Sequence, residues 1–268
     1  KKPLTITTVM KFRELMASRM CPSTAEAAKQ AGIDGEVAEI AIPPAEAEAL
    51  IAAAKTPEEQ RVAERLAAKA PYYHEAKRLA ARASGVPRDA QGRRHLVVCS
   101  GGGPSIMEAA NRGAHECGME SVGLNIVLPH EQAPNQYVTP SLSFQFHYFA
   151  LRKMHFLLRA RAVCVFPGGF GTFDETFELL TLVQTGKMKA MPIVLFGKDF
   201  WNKVVDFEAL ADEGVINRCD IDLFKFVETA EEAWAHICDF WKDDPLGVLA
   251  SSEPEQQPEC WDWSPAAD

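Results

Sequence analysis

Residues 162–185 hold the feature that most narrows what this chain can fold into. A β-branched apolar run, Ala162 to Phe166, stops at Pro167-Gly168-Gly169, and Gly171-Thr172 then opens a strongly apolar helix. A strand that runs into glycines and then into a helix N-terminus presents unpaired backbone N–H groups and the positive end of a helix dipole. That combination suits a phosphate. Glu175 falls in the first turn of the same helix. Helical side chains lean toward the N-terminus, so its carboxylate is expected to face whatever the glycines hold. A phosphate cradle beside a carboxylate points to chemistry on a nucleotide or a sugar phosphate.

A second turn has the same grammar. His95–Cys99 reads as a strand, Ser100-Gly101-Gly102-Gly103 follows, and a helix runs from about Pro104 to Cys117, with Gly118 at its C-terminal cap. Neither turn is the G-x-G-x-x-G dinucleotide fingerprint, and neither carries the Gly-Lys-Ser/Thr of a nucleotide triphosphatase loop. A structural reading stands beside the functional one. Thr172-x-x-Glu175 and Ser105-x-x-Glu108 both match a helix capping box, which requires no ligand. For Glu108 the cap is the preferred reading; for Glu175 cap and chemistry stand level. A lone glycine turn is more often only a turn, but two at the ends of strands of one sheet favour a phosphate site.

The remaining pattern supplies that sheet. Thr5–Val9 reads as a short strand, and Pro43–Lys55 and Pro57–Ser84 read as helices, the second broken near Pro71. Further strands are expected at Ser121–Leu128, Leu142–Phe146, Pro192–Phe196 and Leu223–Val227, with a polar loop at Glu131–Val138. Helices are expected at Tyr148–Arg161, Phe200–Glu213 and Thr229–Lys242. This alternation implies an α/β fold, a doubly wound parallel sheet with helices on both faces and an added N-terminal helical region. Ligands bind such sheets at the carboxyl ends of the strands, where both glycine turns lie. The chain divides into a helical region over 1–90, a nucleotide-binding catalytic domain over 91–242 and a mobile tail over 243–268.

Composition removes several classes of function. A formal net charge of −9 argues against broad nucleic-acid binding. No apolar run approaches a membrane-spanning length, and no secretory signal opens the sequence as given. The seven cysteines lack paired spacing. Cys99 and Cys164 read as small core residues of a reducing cytoplasm, so a cytoplasmic protein is expected. No His, Cys or carboxylate spacing suggests a metal site, and no G-x-S-x-G elbow is present. Arg152, His155 and Arg159 share a face of the 148–161 helix. A cationic face there suits a phosphate or a base, although for His155 a solvated surface position is preferred.

Pro167-Gly168-Gly169-Phe170-Gly171-Thr172-Phe173-Asp174-Glu175 resembles the P-G-G-x-G-T-x-x-E motif of the LOG family, the cytokinin-activating phosphoribohydrolases long labelled lysine decarboxylases. The segment from Ser100 to Gly113 is similar to that family's other loop, and Arg152-Lys153 is similar to its Arg-Lys pair. The resemblance covers about residues 70–242. The chain is longer, and Tyr148-Phe149-x-x-Arg152-Lys153 resembles the family's larger, bacterial branch of nucleotide 5′-monophosphate nucleosidases. Two positions differ from the family pattern. Ser105 stands where the family often has glycine, and Ala38–Pro43 occupies the place where its sheet usually opens.

The resemblance implies a Rossmann-like fold, a homo-oligomer of two or more subunits, and hydrolysis of a nucleoside 5′-monophosphate to free base and ribose 5-phosphate. No metal and no cofactor are implied. Arg152 and Glu175 would be catalytic. Gly168, Gly169, Gly171 and Thr172 would bind the phosphate, with Gly101, Gly102, Gly103 and Lys153 also contacting substrate. The partner is a small nucleotide, not nucleic acid or membrane. Two other classes stay open: a non-catalytic nucleotide or cofactor carrier of the same fold, and an amino-acid decarboxylase. The latter needs a lysine for pyridoxal phosphate, and neither Lys153 nor Lys187 lies in a pattern assigned to that role.

Overall fold

The computed structural model describes residues 4–9, 44–86, 96–127 and 134–243. Within them, seven strands join into one sheet: β1 Leu4–Val9, β2 Leu96–Ser100, β3 Ser121–Ile126, β4 Ser143–Phe146, β5 Ala160–Val165, β6 Ile193–Phe196 and β7 Lys225–Val227. Their spatial order is β4-β3-β2-β1-β5-β6-β7, and every adjacent pair is parallel. The chain winds outward from β1 to β4, returns, and winds the other way from β5 to β7. Strand order therefore reverses between β1 and β5, the crevice where open α/β sheets take ligands.

The strand expected at Thr5–Val9 is thus the middle strand of the sheet. Leu4–Val9 is β-branched at every position but Leu4, a composition that suits a pleated central strand. Ala38–Pro43, which occupied the expected opening of the sheet, lies outside the described residues. So do most of the 131–138 loop's first half, the boundary expected near residue 90, and the tail beyond Asp243.

Period-two alternation sorts the strand side chains onto two buried faces. From β5, Ala162 and Cys164 point to one core and Val163 and Val165 to the other; from β6, Val194 and Phe196 oppose Ile193 and Leu195. The first core is covered by α3 (Pro71–Ser84), α4 (Ile106–Glu116) and α9 (Ala230–Phe240). The second is covered by α5 (Phe149–Leu157), α6 (Phe170–Gln184), α7 (Lys198–Val204) and α8 (Phe207–Asp212). Two further helices, α1 (Pro44–Ala53) and α2 (Pro57–Ala67), pack on each other. Thr56 and Glu59 close a complete capping box on α2, with Pro57 as its first residue. Cys99 and Cys164 are buried free thiols, as their strand positions led one to expect. Among the described residues, no helix is long and apolar enough to cross a membrane.

The 57–84 segment breaks before Pro71, as expected, and Pro71 becomes the first residue of α3. Two other helices differ from expectation. The 200–213 segment is two helices, because Asp206 leaves helical geometry and caps α8 by accepting the Ala209 N–H at 2.9 Å. The helix expected to reach Arg161 ends at Leu157, since Ala160 already pairs with Thr5 in the sheet.

One glycine sets the closest helix contact. At Gly113 of α4, a Cβ would lie 2.2 Å from the Lys77 carbonyl oxygen and 2.9 Å from the Ala80 Cβ, both on α3. Gly113→Ala is therefore expected to destabilise the protein by about 1–3 kcal/mol, the usual cost of overpacking. The check is the melting temperature; an unchanged value would mean that α3 and α4 do not approach this closely.

Candidate active site

The turn after β5 is built by close contact rather than by looseness. Gly168 follows the buried Phe166 and Pro167. A Cβ on Gly168 would lie 2.0 Å from Thr172 Oγ1 and 2.6 Å from Thr172 Cβ, so only glycine lets α6 begin where it does. Helix α6 starts at Phe170 with Gly169 as its N-cap, three residues before the cap that a Thr172–Glu175 box would place. Thr172 is then the third helical residue and Glu175 the sixth, in the second turn. The cap carries no side chain, so the Thr172–Glu175 capping box is not formed. Gly171 stays in the first turn, where the helix dipole and the first amides point outward.

Glu175 is instead buried against Arg152. The two side chains are 4% and 2% exposed, and Arg152 Nη1 lies 3.7 Å from Glu175 Oε1. Arg152 is anchored at its other end: Nε donates to the Leu124 carbonyl of β3 at 2.6 Å. Its guanidinium carbon also sits 5.0 Å from the centre of the Phe156 ring, a cation–π contact. Burial pushes the Cys99 thiol far up, with Arg152 drawing it down and Glu175 pushing it further up. The end of β2 therefore shares an enclosed neighbourhood with this pair. Charges are costly to bury even when paired, and buried titratable groups cluster where chemistry is done. The other members of the expected cationic face separate from Arg152. His155 is exposed, as preferred for it, and Arg159 lies exposed beyond the end of α5.

The turn after β2 is held by a polar network. Gly101, Gly102 and Gly103 are all buried. Gly102 has φ +74°, open to glycine, and a Cβ there would approach Gly123 Cα of β3 at 3.3 Å. Asn111 of α4, fully buried, accepts from Ser100 Oγ at 2.6 Å and from Asn135 Nδ2 at 2.9 Å. Its own Nδ2 donates to Ser121 Oγ at 3.0 Å. Neither Asn111 nor Asn135 was singled out from sequence, yet Asn111 left a signal. It falls on the apolar stripe Met107, Ala110, Asn111, Ala114, and a polar residue on such a stripe must find buried partners. The Ser105–Glu108 capping box is absent: Ser105 makes no side-chain cap, and Glu108 accepts the Tyr73 hydroxyl at 2.9 Å.

Lys153 belongs to a different environment from its neighbour Arg152. Its Nζ lies 2.9 Å from Asp174 Oδ1 and 2.8 Å from Glu178 Oε2 on α6. Partial burial opposes its charge, but those two carboxylates leave its pKa raised. Lys153 also lines an open groove of about 560 Å³ along α6, with Phe170, Phe173, Asp174, Phe177 and Glu178. Neither Glu175 nor any glycine lines this groove, so it is distinct from the glycine-turn site.

The family described as "Possible lysine decarboxylase" matches residues 107–237. A cytokinin riboside 5′-monophosphate phosphoribohydrolase of Arabidopsis thaliana, LOG2, is 27% identical over 45% of this chain and 57% of its own length. A probable cytokinin riboside 5′-monophosphate phosphoribohydrolase of Oryza sativa subsp. japonica, LOG4, is 25% identical over 51% of this chain and 59% of its own. The chain thus spans less than two thirds of either curated relative. Among solved structures, a Moco carrier protein from Chlamydomonas reinhardtii is 17% identical, covering 91% of this chain and 99% of that one, with a TM-score of 0.46.

Ser105 carries the one positive φ on a non-glycine residue among those described, φ 65° with ψ −131°. Such conformations cost a side chain of this kind roughly 1–3 kcal/mol. Ser105→Gly is expected to stabilise the protein by about 1 kcal/mol, after the greater freedom of glycine in the unfolded chain is set against the relief. A melting temperature equal to or below that of the parent would show that the serine is not strained.

Proposed function

Because the chain belongs to the LOG family, we propose that it hydrolyses the N-glycosidic bond of a nucleoside 5′-monophosphate, releasing free base and ribose 5-phosphate. The observation that carries this reading is the buried pair of Arg152, from α5, with Glu175, on the helix that begins at the Gly168-Gly169 turn.

The chemistry matches these groups. Breaking a ribosyl C–N bond develops positive charge on the sugar, as in glycoside hydrolysis, and negative charge on the departing base. The Glu175 carboxylate stabilises the sugar cation or orients the attacking water. Arg152, fixed to β3 through Leu124, favours the developing charge on the base. The amides of the glycine turns and Thr172 hold the 5′-phosphate, which fixes C1′ beside Glu175. Decarboxylation fits less well. A Schiff-base lysine must give up its proton, and the Lys153 carboxylate partners favour keeping it.

The test is a panel of AMP, GMP, CMP, UMP and a cytokinin riboside 5′-monophosphate, each beside its nucleoside, scored for released base. At least one monophosphate should be cleaved and the matching nucleoside ignored. Monophosphate binding without released base would make the chain a carrier. Glu175→Gln sharpens the assay. Since Gly169 caps the helix, the substitution leaves the cap intact and removes only the charge facing Arg152. Turnover should fall about 100-fold or more, the scale of one electrostatic or acid–base contributor. Stability should fall by roughly 1–3 kcal/mol, because Arg152 loses its counter-charge. Near-parental turnover would sink the catalytic assignment.

The reading includes a homo-oligomer. Tyr148, Leu151, Met154, Leu158 and Phe170 are exposed on or beside α5 and α6, an apolar area that monomers seldom leave uncovered. Light scattering should give at least a dimer at micromolar concentration; a monomer there would count against this part of the proposal.

A further inference from the structure

Asn135 grips the first glycine turn from outside it. Its backbone N–H donates to the Gly102 carbonyl at 2.8 Å. Its Nδ2 donates to the Gly103 carbonyl at 2.8 Å and to Asn111 Oδ1 at 2.9 Å. Its Oδ1 accepts the Tyr137 N–H at 3.1 Å, which fixes the amide and its orientation. The turn is tied from the other side as well, by the Gly102 N–H donating to Ser100 Oγ at 3.0 Å.

Two successive carbonyls are therefore held toward one half-buried residue in the loop before β4, Gly102's by its backbone N–H and Gly103's by its side chain. Each carbonyl carries partial negative charge and would repel an anion that it faced. In a planar trans peptide the C=O and the next N–H point in opposite directions. Drawing the Gly102 carbonyl to Asn135 consequently turns the Gly103 N–H away from Asn135. The Gly103–Pro104 peptide has no N–H to offer, so its carbonyl is only a liability near an anion, and Asn135 Nδ2 neutralises it. The positive φ of Gly102 permits this orientation.

We infer that Asn135 is a positioning residue: it orients the Gly101–Gly103 turn so that an amide, and not two carbonyls, meets the phosphorylated ribose. The inference rests on the proposed function, because that reading supplies the anionic ligand. It assigns Asn135 no contact with the substrate. Its effect belongs to affinity for the phosphorylated part, not to bond cleavage, which Arg152 and Glu175 carry.

Two variants of the full chain test it. Asn135→Ala removes the side chain. Asn135→Asp keeps the backbone donor and the acceptor for Tyr137 but replaces the Nδ2 donor by a carboxylate oxygen facing the Gly103 carbonyl. Dissociation constants for AMP and for ribose 5-phosphate are measured by calorimetry, beside KM, kcat and melting temperature on the best monophosphate of the panel. Both dissociation constants and KM should rise about tenfold or more, the scale of one well-placed hydrogen bond, while kcat stays within about twofold of the parent. The Asp variant should be at least as weak as the Ala variant. Parental affinity in both variants would overturn the inference. So would a fall in kcat that tracks a fall in melting temperature, which marks a merely structural residue. If the parent itself binds neither phosphorylated compound, the proposed function fails and takes this inference with it; that outcome is read on the parent alone.

Discussion

Seven strands that all point one way must begin their connections at one edge of the sheet. That constraint places the site. β2 and β5 flank β1 and both end in glycine turns, so both turns emerge on either side of the strand-order reversal. α4 and α6, which follow these turns, aim their N-terminal ends at the same edge. β3 completes the arrangement from one side. Gly123 lets the first turn approach, and the Leu124 carbonyl receives Arg152. Four adjacent parallel strands, β3, β2, β1 and β5, thus supply the floor, and the helices behind them supply charge and hydrogen bonding.

Against the apolar layers, the buried polar groups form two connected sets. One is the Arg152–Glu175 pair with its anchor on Leu124. The other runs from Ser100 through Asn111 to Ser121 and Asn135. The sets differ in physical character. Neutral amides and hydroxyls satisfy one another at small cost and fix geometry. A buried ion pair is poor value as a source of stability, since apolar residues of similar volume often do as well or better. Rigidity therefore comes from the asparagine network rather than from the ion pair, and the two sets meet on β3.

Much of this could be read from the sequence, and the errors have local causes. The strands at 162–166 and 192–196 announced themselves as short apolar runs bounded by glycine and proline. Thr5–Val9 was legible as a strand, but nothing near it indicated the central position, because its partners β2 and β5 are distant in sequence. The capping boxes were misread since spacing alone cannot show that α6 starts three residues before the box would place it, where Gly168 allows Thr172 to close in. The Arg152 stripe was over-extended because a helix pattern continues smoothly through Leu158 and Arg159 while strand pairing with β1 takes over at Ala160. By resemblance Arg152 and Lys153 form one Arg-Lys pair. Adjacent helical residues face different directions, however, and its partners are the carboxylates of Asp174 and Glu178.

The place of β1 also bears on how the chain reaches its fold. In the chain β1 precedes the six strands that join it in the sheet, yet Leu4 pairs with Leu96 and Thr5 with Ala160. Its hydrogen-bonding edges have no native partners until far more of the chain has appeared, and the loops that then close are long. Pairings of such high sequence separation slow folding and prolong the life of open strand edges. The strand that organises the finished sheet is, on the way there, the one that waits longest.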